Sequence, residues 1–332
     1  MILLCMLATP ACTQRRIWQE SNGAVWNTTY HIVYLAEKNL DDSIQACFNS
    51  VAESVSVFSN QSTVSLINRN ETDTTDQAFI TVFDMARKIN RESNGLFDPT
   101  VSPLINLWGY GYTGNKGNIP TPGEITTALE SVGINQCQID QTGHITKKSP
   151  LTEFNFSALA KGFGCDEIGR MLLRNNCTDY MVEVGGEIAM HGVNPHGRLW
   201  HIMIDAPEDN DSMPKHVPMK TVRITDCGVA TSGNYRNFQD TPQGRTSHTI
   251  NPATGYPLTF LPGDTLVLSA TVIASTAMEA DALATACMCM NPSHAVSMIE
   301  SNPSRSAMLV ARVPGNNQPQ TIYTRHFPSP EP

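Results

Sequence analysis

The stretch Leu266–Met290 reads LVLSATVIASTAMEADALATACMCM and sets a strand directly before a helix. Val, Ile and Thr crowd Leu266–Ile273, the composition of a buried strand. Thr276-Ala277-Met278-Glu279 then fits a capping box, with Thr276 accepting from the Glu279 amide and Glu279 reaching back. Small and apolar residues run from Ala277 to Met290, and Asn291-Pro292 stops the helix. Inside it, Asp281 and Thr285 are four residues apart and share one face. A carboxylate beside a hydroxyl is a hard oxygen pair suited to Mg²⁺. The alternative is that Asp281 only accepts a bond from a nearby backbone amide.

Outward from this pair, strands and helices alternate without a βαβ rhythm. Val25–Leu35 reads as a strand, and Asp41–Val57 and Ala78–Ser93 have apolar residues at helical spacing. Asn94–Gly117 is irregular and rich in aromatic residues, which marks it as more than a connector. Pro120–Val132 reads as a short helix and His144–Phe156 as short strands. A helix over Ser157–Asn175 follows, with Ser157 as its N-cap. Tyr180–Val184 is a buried strand ending in Gly185-Gly186. Trp200–Ala206 and Thr221–Thr225 alternate as antiparallel strands do, and Glu208–Lys220 is polar loop. This order predicts an α+β fold of mainly antiparallel sheets with packed helices, arranged as two intertwined lobes.

The 332 residues are 40% hydrophobic and only 16% charged, against about 25% charged in an average soluble protein. That composition excludes a disordered chain. The net charge of −9 with no Lys/Arg-rich run argues against a nucleic-acid partner. Residues 1–11, MILLCMLATPA, form a short apolar run before Cys12. They resemble a bacterial lipoprotein signal in which Cys12 carries the lipid. The expectation is a signal at 1–11, a tether at 12–23 and a single domain at 24–332. The protein would then be exported and lipid-anchored to a bacterial membrane, facing the periplasm. Nine cysteines occur with no C-x-x-C, so zinc-type spacing is absent. Buried thiols acting as small apolar residues are the expectation.

Two further segments bear on chemistry. Asn155–Gly162 (NFSALAKG) leads into a helix with Lys161 in its first turn, where free amides and an ammonium suit an anion. Ordinary helix packing explains it equally. His248 lies among hydroxyl and amide residues, placed to act as a general base near neutral pH or to bridge a hairpin.

Together these segments resemble one family, the FAD:protein FMN transferases of ApbE type. The matching runs are Trp26–Tyr30 (WNTTY), Phe58–Ser62 (FSNQS), Gly95–Val101 (GLFDPTV) with Leu107–Tyr110 (LWGY), and Asn155–Gly162. Val182–Glu187 (VEVGGE), Ala230–Arg236 (ATSGNYR), Ser247–Pro257 (SHTINPATGYP) and Ala277–Thr285 (AMEADALAT) continue in the family's order. Trp26-Asn27 stands where the family usually has Met-Gly, Phe58 where Tyr is common, and Asn155 where Asp is common. The resemblance implies an ApbE-like, T-fold-related fold and a Mg²⁺-dependent enzyme. Such an enzyme moves FMN from FAD onto a threonine hydroxyl of an acceptor protein and releases AMP. It also implies metal ligation by the Ala158 carbonyl, Asp281 and Thr285, and FAD contacts from Trp26, Phe58, Leu96, Phe97, Asp98, Asn155, Lys161 and Ile250. His248 matches the family's candidate base. The implied partners are flavin-accepting subunits of membrane redox complexes. A Mg²⁺-dependent FAD pyrophosphatase and a non-catalytic FAD-binding lipoprotein are the rival readings.

Overall fold

The computed structural model describes residues 15–111, 119–205, 218–233, 238–241, 244–260, 264–313 and 318–329. At His248 and a few other strand positions it describes the backbone alone. Strands β1 (Ile17–Val25) and β2 (Thr28–Ala36) form a hairpin. Its turn residues Trp26 and Asn27 have φ of 49° and 61°, the left-handed pair that a tight hairpin with right-handed twist requires. The single strand expected over Val25–Leu35 is thus the second arm of a hairpin. Ile17–Gly23, assigned to the tether by its polarity, is strand. It lies at the sheet edge with most residues open to solvent, so polar side chains cost nothing there.

Helices α1 (Asp41–Val55), α2 (Thr63–Asn68) and α3 (Gln77–Glu92) follow. Ile44, Phe48, Val51 and Val55 are buried along α1, and Phe79, Val82, Phe83, Ala86 and Ile89 along α3, as their spacing predicts. The irregular stretch after Asn94 contains a short helix, α4 (Ser102–Leu107). In α5 (Pro122–Leu129), Thr121 and Glu124 form a reciprocal capping box. Hairpin β3 (Cys137–Ile139) and β4 (Ile145–Lys147) is shorter than the strands expected through Phe156. The Asn68 side chain instead bonds both backbone groups of Phe154, at 2.7 and 2.8 Å, and so satisfies that loop without a ladder.

The chain continues through α6 (Ala160–Arg174), β5 (Tyr180–Val184), β6 (Glu187–His191), β7 (Trp200–Asp205), β8 (Pro218–Ile224) and β9 (Cys227–Gly233). Then come β10 (Phe238–Thr241), β11 (Gly244–Ile250), β12 (Pro257–Phe260), β13 (Leu266–Ala274), α7 (Ala277–Met288), α8 (Pro292–Glu300), β14 (Ser306–Arg312) and β15 (Gln320–Tyr323).

One eight-stranded sheet, ordered β1-β2-β5-β6-β9-β13-β14-β15, organises all of this. Every pairing in it is antiparallel. Helix α6 covers β5 and β6, and α7 covers β9 and β13. On the opposite face the β7–β8 hairpin buries Trp200, Ile202, Ile204 and Val222 against Met190, Val229, Ile273 and Met308. The two halves meet where β6 pairs with β9. Helix α3, from the first half, packs on α7 of the second, which is how the lobes intertwine. The seven described cysteines are free thiols, four of them buried.

Candidate active site

The site is built where α6 crosses α7. Gly162 permits that crossing: a Cβ there would sit 2.3 Å from the Ala277 carbonyl oxygen. The side chain of Asp166, on α6, accepts from the amides of Ala277 and Met278 at 2.9 and 3.0 Å. It thereby neutralises the positive N-terminus of α7. Burial pushes the Asp166 carboxyl up to about 6, against the pull of those two amides. Thr276 caps the helix as expected, accepting from the Glu279 amide at 3.2 Å. Glu279 does not reach back. Its carboxylate takes Lys88 and the fully buried Arg305, each at 2.7 Å, because a buried guanidinium needs a counter-charge more than an amide does. Ser157 is not the cap of α6 either: the helix begins at Ala160, and the Ser157 amide bonds Asn155 Oδ1 at 3.0 Å.

This crossing delivers Lys161 and Asp281 to one place. The Gly162 amide donates to Asp281 Oδ2 at 3.2 Å. Lys161 Nζ meets Glu187 Oε1 at 2.6 Å, and Glu187 opens β6 directly after the Gly185-Gly186 turn. Burial would lower the Lys161 pKa, but the Asp281 and Glu187 charges overcome it and raise it. Burial raises both carboxyls, opposed chiefly by Lys161. The lysine stays charged, so the strain of burial falls on the carboxyls. Two carboxylates share one ammonium, and Glu187 Oε2 is buried with no hydrogen-bond partner.

Above this charge lies a cleft of about 420 Å³. Leu96, Phe97, Asp98, Asn155, Ala158, Lys161, Ile250, Asp281 and Thr285 all line it, and all were singled out from sequence. Asp98 is fully occupied with structure. It accepts from the Thr100 amide and hydroxyl, Asn90 and the Ile134 amide, and so holds the wall in shape; burial still raises its pKa. Burial pushes the Cys289 thiol, on the same lining, up to about 12, which keeps it neutral.

Trp26 and Phe58 are not brought to the cleft lining. The Trp26 indole packs edge-on to Phe48, 5.2 Å between centroids, and over Gly164, where a Cβ would come within 2.6 Å of the ring. Phe58 is 72% exposed in the connection between α1 and α2. His248 lies on β11 just before Thr249 and Ile250 of the cleft; its side chain is outside the described residues.

The donor set fits a hard divalent cation. Asp281 offers one carboxylate, Thr285 a hydroxyl one turn on, and Ser232 a second hydroxyl 3.3 Å from it. Among the described residues no three His, Cys, Asp or Glu side chains converge, so a soft-metal cage is not what these residues make. Few protein ligands, buried carboxylates and an open side are compatible with a hard cation that keeps its waters.

Known proteins resemble this chain over most of its length. The model of the ApbE family matches residues 26–310. The chain belongs to the ApbE family. Among curated relatives, the FAD:protein FMN transferase of Haemophilus influenzae is 30% identical over 310 residues, spanning 89% of this chain and 87% of that protein. The FAD:protein FMN transferase of Vibrio cholerae is 30% identical over 320 residues, 93% of this chain and 92% of that one. The solved flavin transferase ApbE from Vibrio cholerae superposes with a TM-score of 0.80 at 28% identity, covering 93% of this chain and 98% of that one. The apo flavinyl transferase ApbE of Pseudomonas stutzeri gives 0.80 at 26%, covering 94% and 96%.

Within this ApbE-family site, Glu187 and Ser232 are cleft residues that sequence reasoning did not assign a role. Both lie inside quoted segments. The signal for Glu187 is the Gly185-Gly186 turn, whose φ values of 63° and 100° make a two-residue hairpin that sets the next residue at the cleft.

Proposed function

We propose that this protein transfers FMN from FAD onto a threonine hydroxyl of an acceptor protein, releasing AMP, with Mg²⁺ held by Asp281, Thr285 and the Ala158 carbonyl. The observation that carries the reading is the buried, under-compensated carboxylate pair at the floor of the cleft, in a chain whose relatives are FAD:protein FMN transferases. Such a floor repels a bare pyrophosphate and accepts one that arrives with a divalent cation. Leu96, Phe97 and Ile250 supply an apolar wall for a ring system.

In the reaction the threonine oxygen attacks the FMN phosphorus and the phosphoanhydride bond to AMP breaks, its electron pair leaving on the AMP phosphate. The threonine proton passes to His248 as base. Lys161 offsets charge that builds on the phosphoryl oxygens. Mg²⁺ held by Asp281, Thr285 and the Ala158 carbonyl would supply Lewis-acid stabilisation of the charge that develops in the transfer. Incubation with FAD, Mg²⁺ and a candidate acceptor tests the reading: covalent flavin on the acceptor supports it. Free FMN with unmodified acceptor identifies a pyrophosphatase, and unchanged FAD a flavin-binding protein.

We also propose export and a lipid tether at Cys12, which lies outside the described residues. No helix among the described residues is long and apolar enough to cross a membrane. Cys12→Ser should move the protein from the membrane to the soluble fraction; an unchanged distribution rules the tether out.

A further inference from the structure

The role of Glu187 is unassigned, and the inference drawn for it rests on the reading of Asp281 as a cation ligand. Glu187 is 4% exposed. One of its oxygens takes Lys161 at 2.6 Å and the other is buried without a partner on the cleft lining. Lys161 and Gly162 are adjacent on α6, and the Gly162 amide already touches Asp281. The lysine stem runs beneath the β5–β6 turn, where a Cβ on Gly185 would be 3.3 Å from Lys161 Cδ. The ammonium therefore meets Glu187 close to the helix crossing that also holds Asp281. Among the described residues it makes one ion pair, with Glu187 and not with Asp281, although the Asp281 charge acts on it strongly.

We propose that Glu187 is a positioning residue that holds the Lys161 ammonium off Asp281, so that the Asp281 carboxylate stays open to a divalent cation. The physical argument is competition for one flexible cation. A lysine on a four-carbon stem pairs with whichever carboxylate is nearest. In a site shielded from water, that pairing is far stronger than on a surface. With Glu187 gone, the lysine is free to turn toward Asp281, whose charge already acts on it, and an incoming cation has to displace the ammonium first. With Glu187 present, the lysine is neutralised beside the site instead of in it. It remains available to a substrate anion entering the cleft.

The experiment is calorimetric titration of Mg²⁺ into the full chain, with no FAD and no acceptor, so that binding is read apart from turnover. Glu187→Gln should weaken Mg²⁺ binding by roughly tenfold or more. Adding Lys161→Met to it should restore affinity to at least the wild-type level, because the competing ammonium is gone. Unchanged affinity in Glu187→Gln overturns the inference. So does a double variant that stays weak, since Glu187 would then contact the cation itself or merely support the fold. If the single variant does not fold, the double variant decides alone: affinity at or above wild type supports positioning, and affinity below it overturns positioning. A wild-type protein that binds no Mg²⁺, or binds it equally well as Asp281→Asn, sinks the cation reading of Asp281 and this inference with it.

Discussion

Glu279 and Asp281 are two residues apart on α7, both buried, and their surroundings are opposite. Glu279 is surrounded by cations: Lys88 at 2.7 Å and Arg305 at 2.7 Å, with Arg305 also bonded to Glu92 at 2.6 Å. Two positive and two negative groups close into a balanced cluster between α3, α7 and the start of β14. Its bonds to Lys88 and Arg305 overcome burial and pull the Glu279 pKa below its usual value. Asp281 has one amide and a share of one lysine, and burial carries its pKa the other way. The first carboxylate is complete within the fold. The second has fewer partners and lines the cleft. A helix turned by two residues thus presents a compensated charge on one side and, on the other, the one proposed to hold a cation.

The largest effect should come from the open side. Asp281→Asn keeps an acceptor for the Gly162 amide and leaves Lys161 paired with Glu187, so the fold should melt at or above the wild-type temperature. FMN transfer should nonetheless fall by roughly 10³-fold or more, since several kcal/mol of charge stabilisation is lost at about 1.4 kcal/mol per tenfold. Near-normal turnover would remove Asp281 from the site and erase the contrast.

The closed side should answer in stability. Glu279→Ala leaves Arg305, 2% exposed, with Glu92 as its one carboxylate among the described residues, and breaking a buried pair in this way costs about 3–5 kcal/mol. Denaturant melts of the purified variant measure it. If Glu279→Ala is as stable as wild type while Asp281→Asn unfolds, the two roles are exchanged.

Between the two regions lies the crossing that fixes both. Gly162→Ala should gain helix propensity of about 1 kcal/mol yet lose more, because the new Cβ would come within 2.3 Å of the Ala277 carbonyl and backbone cannot yield cheaply. A net destabilisation of about 1–3 kcal/mol, together with weakened Mg²⁺ binding, is expected. Cation affinity left intact would show that the spacing of α6 and α7 does not set the site.

How much of this was legible beforehand follows the range of each interaction. Asp281 and Thr285 sharing a face, the Thr276 cap and the apolar stripes of α1 and α3 are local, and residue spacing alone reveals them. The partners of Glu279 are not local: Lys88 comes from α3, and Arg305, itself paired with Glu92 of α3, from beyond α8. Nothing in AMEA announces them, and the segment by itself predicts a local capping box. Trp26 resembles a ligand-stacking aromatic in sequence, but a glycine on α6 makes room for its ring in the core. Such a vacancy is visible only once α6 and the first hairpin are packed together.

The smallest effect is the pH dependence of the metal-free protein, and it separates the two carboxylates by sign. Glu279 has its folded pKa lowered. The stability it contributes is present above the unfolded value, near 4.3, and is lost as pH falls through that value and below. Asp281 has its folded pKa raised. Its protonated form binds more favourably in the fold, so its contribution is complete below the unfolded value, near 3.9, and is lost as pH rises through the raised one. Melting temperature followed from about pH 2 to about pH 8 should therefore show Glu279→Gln flattening the acid limb. Asp281→Asn should flatten the decline on the neutral side. Both variants flattening the same limb would mean that the two sites share one electrostatic environment, and that the balance of charge around α7 is not what separates structure from function.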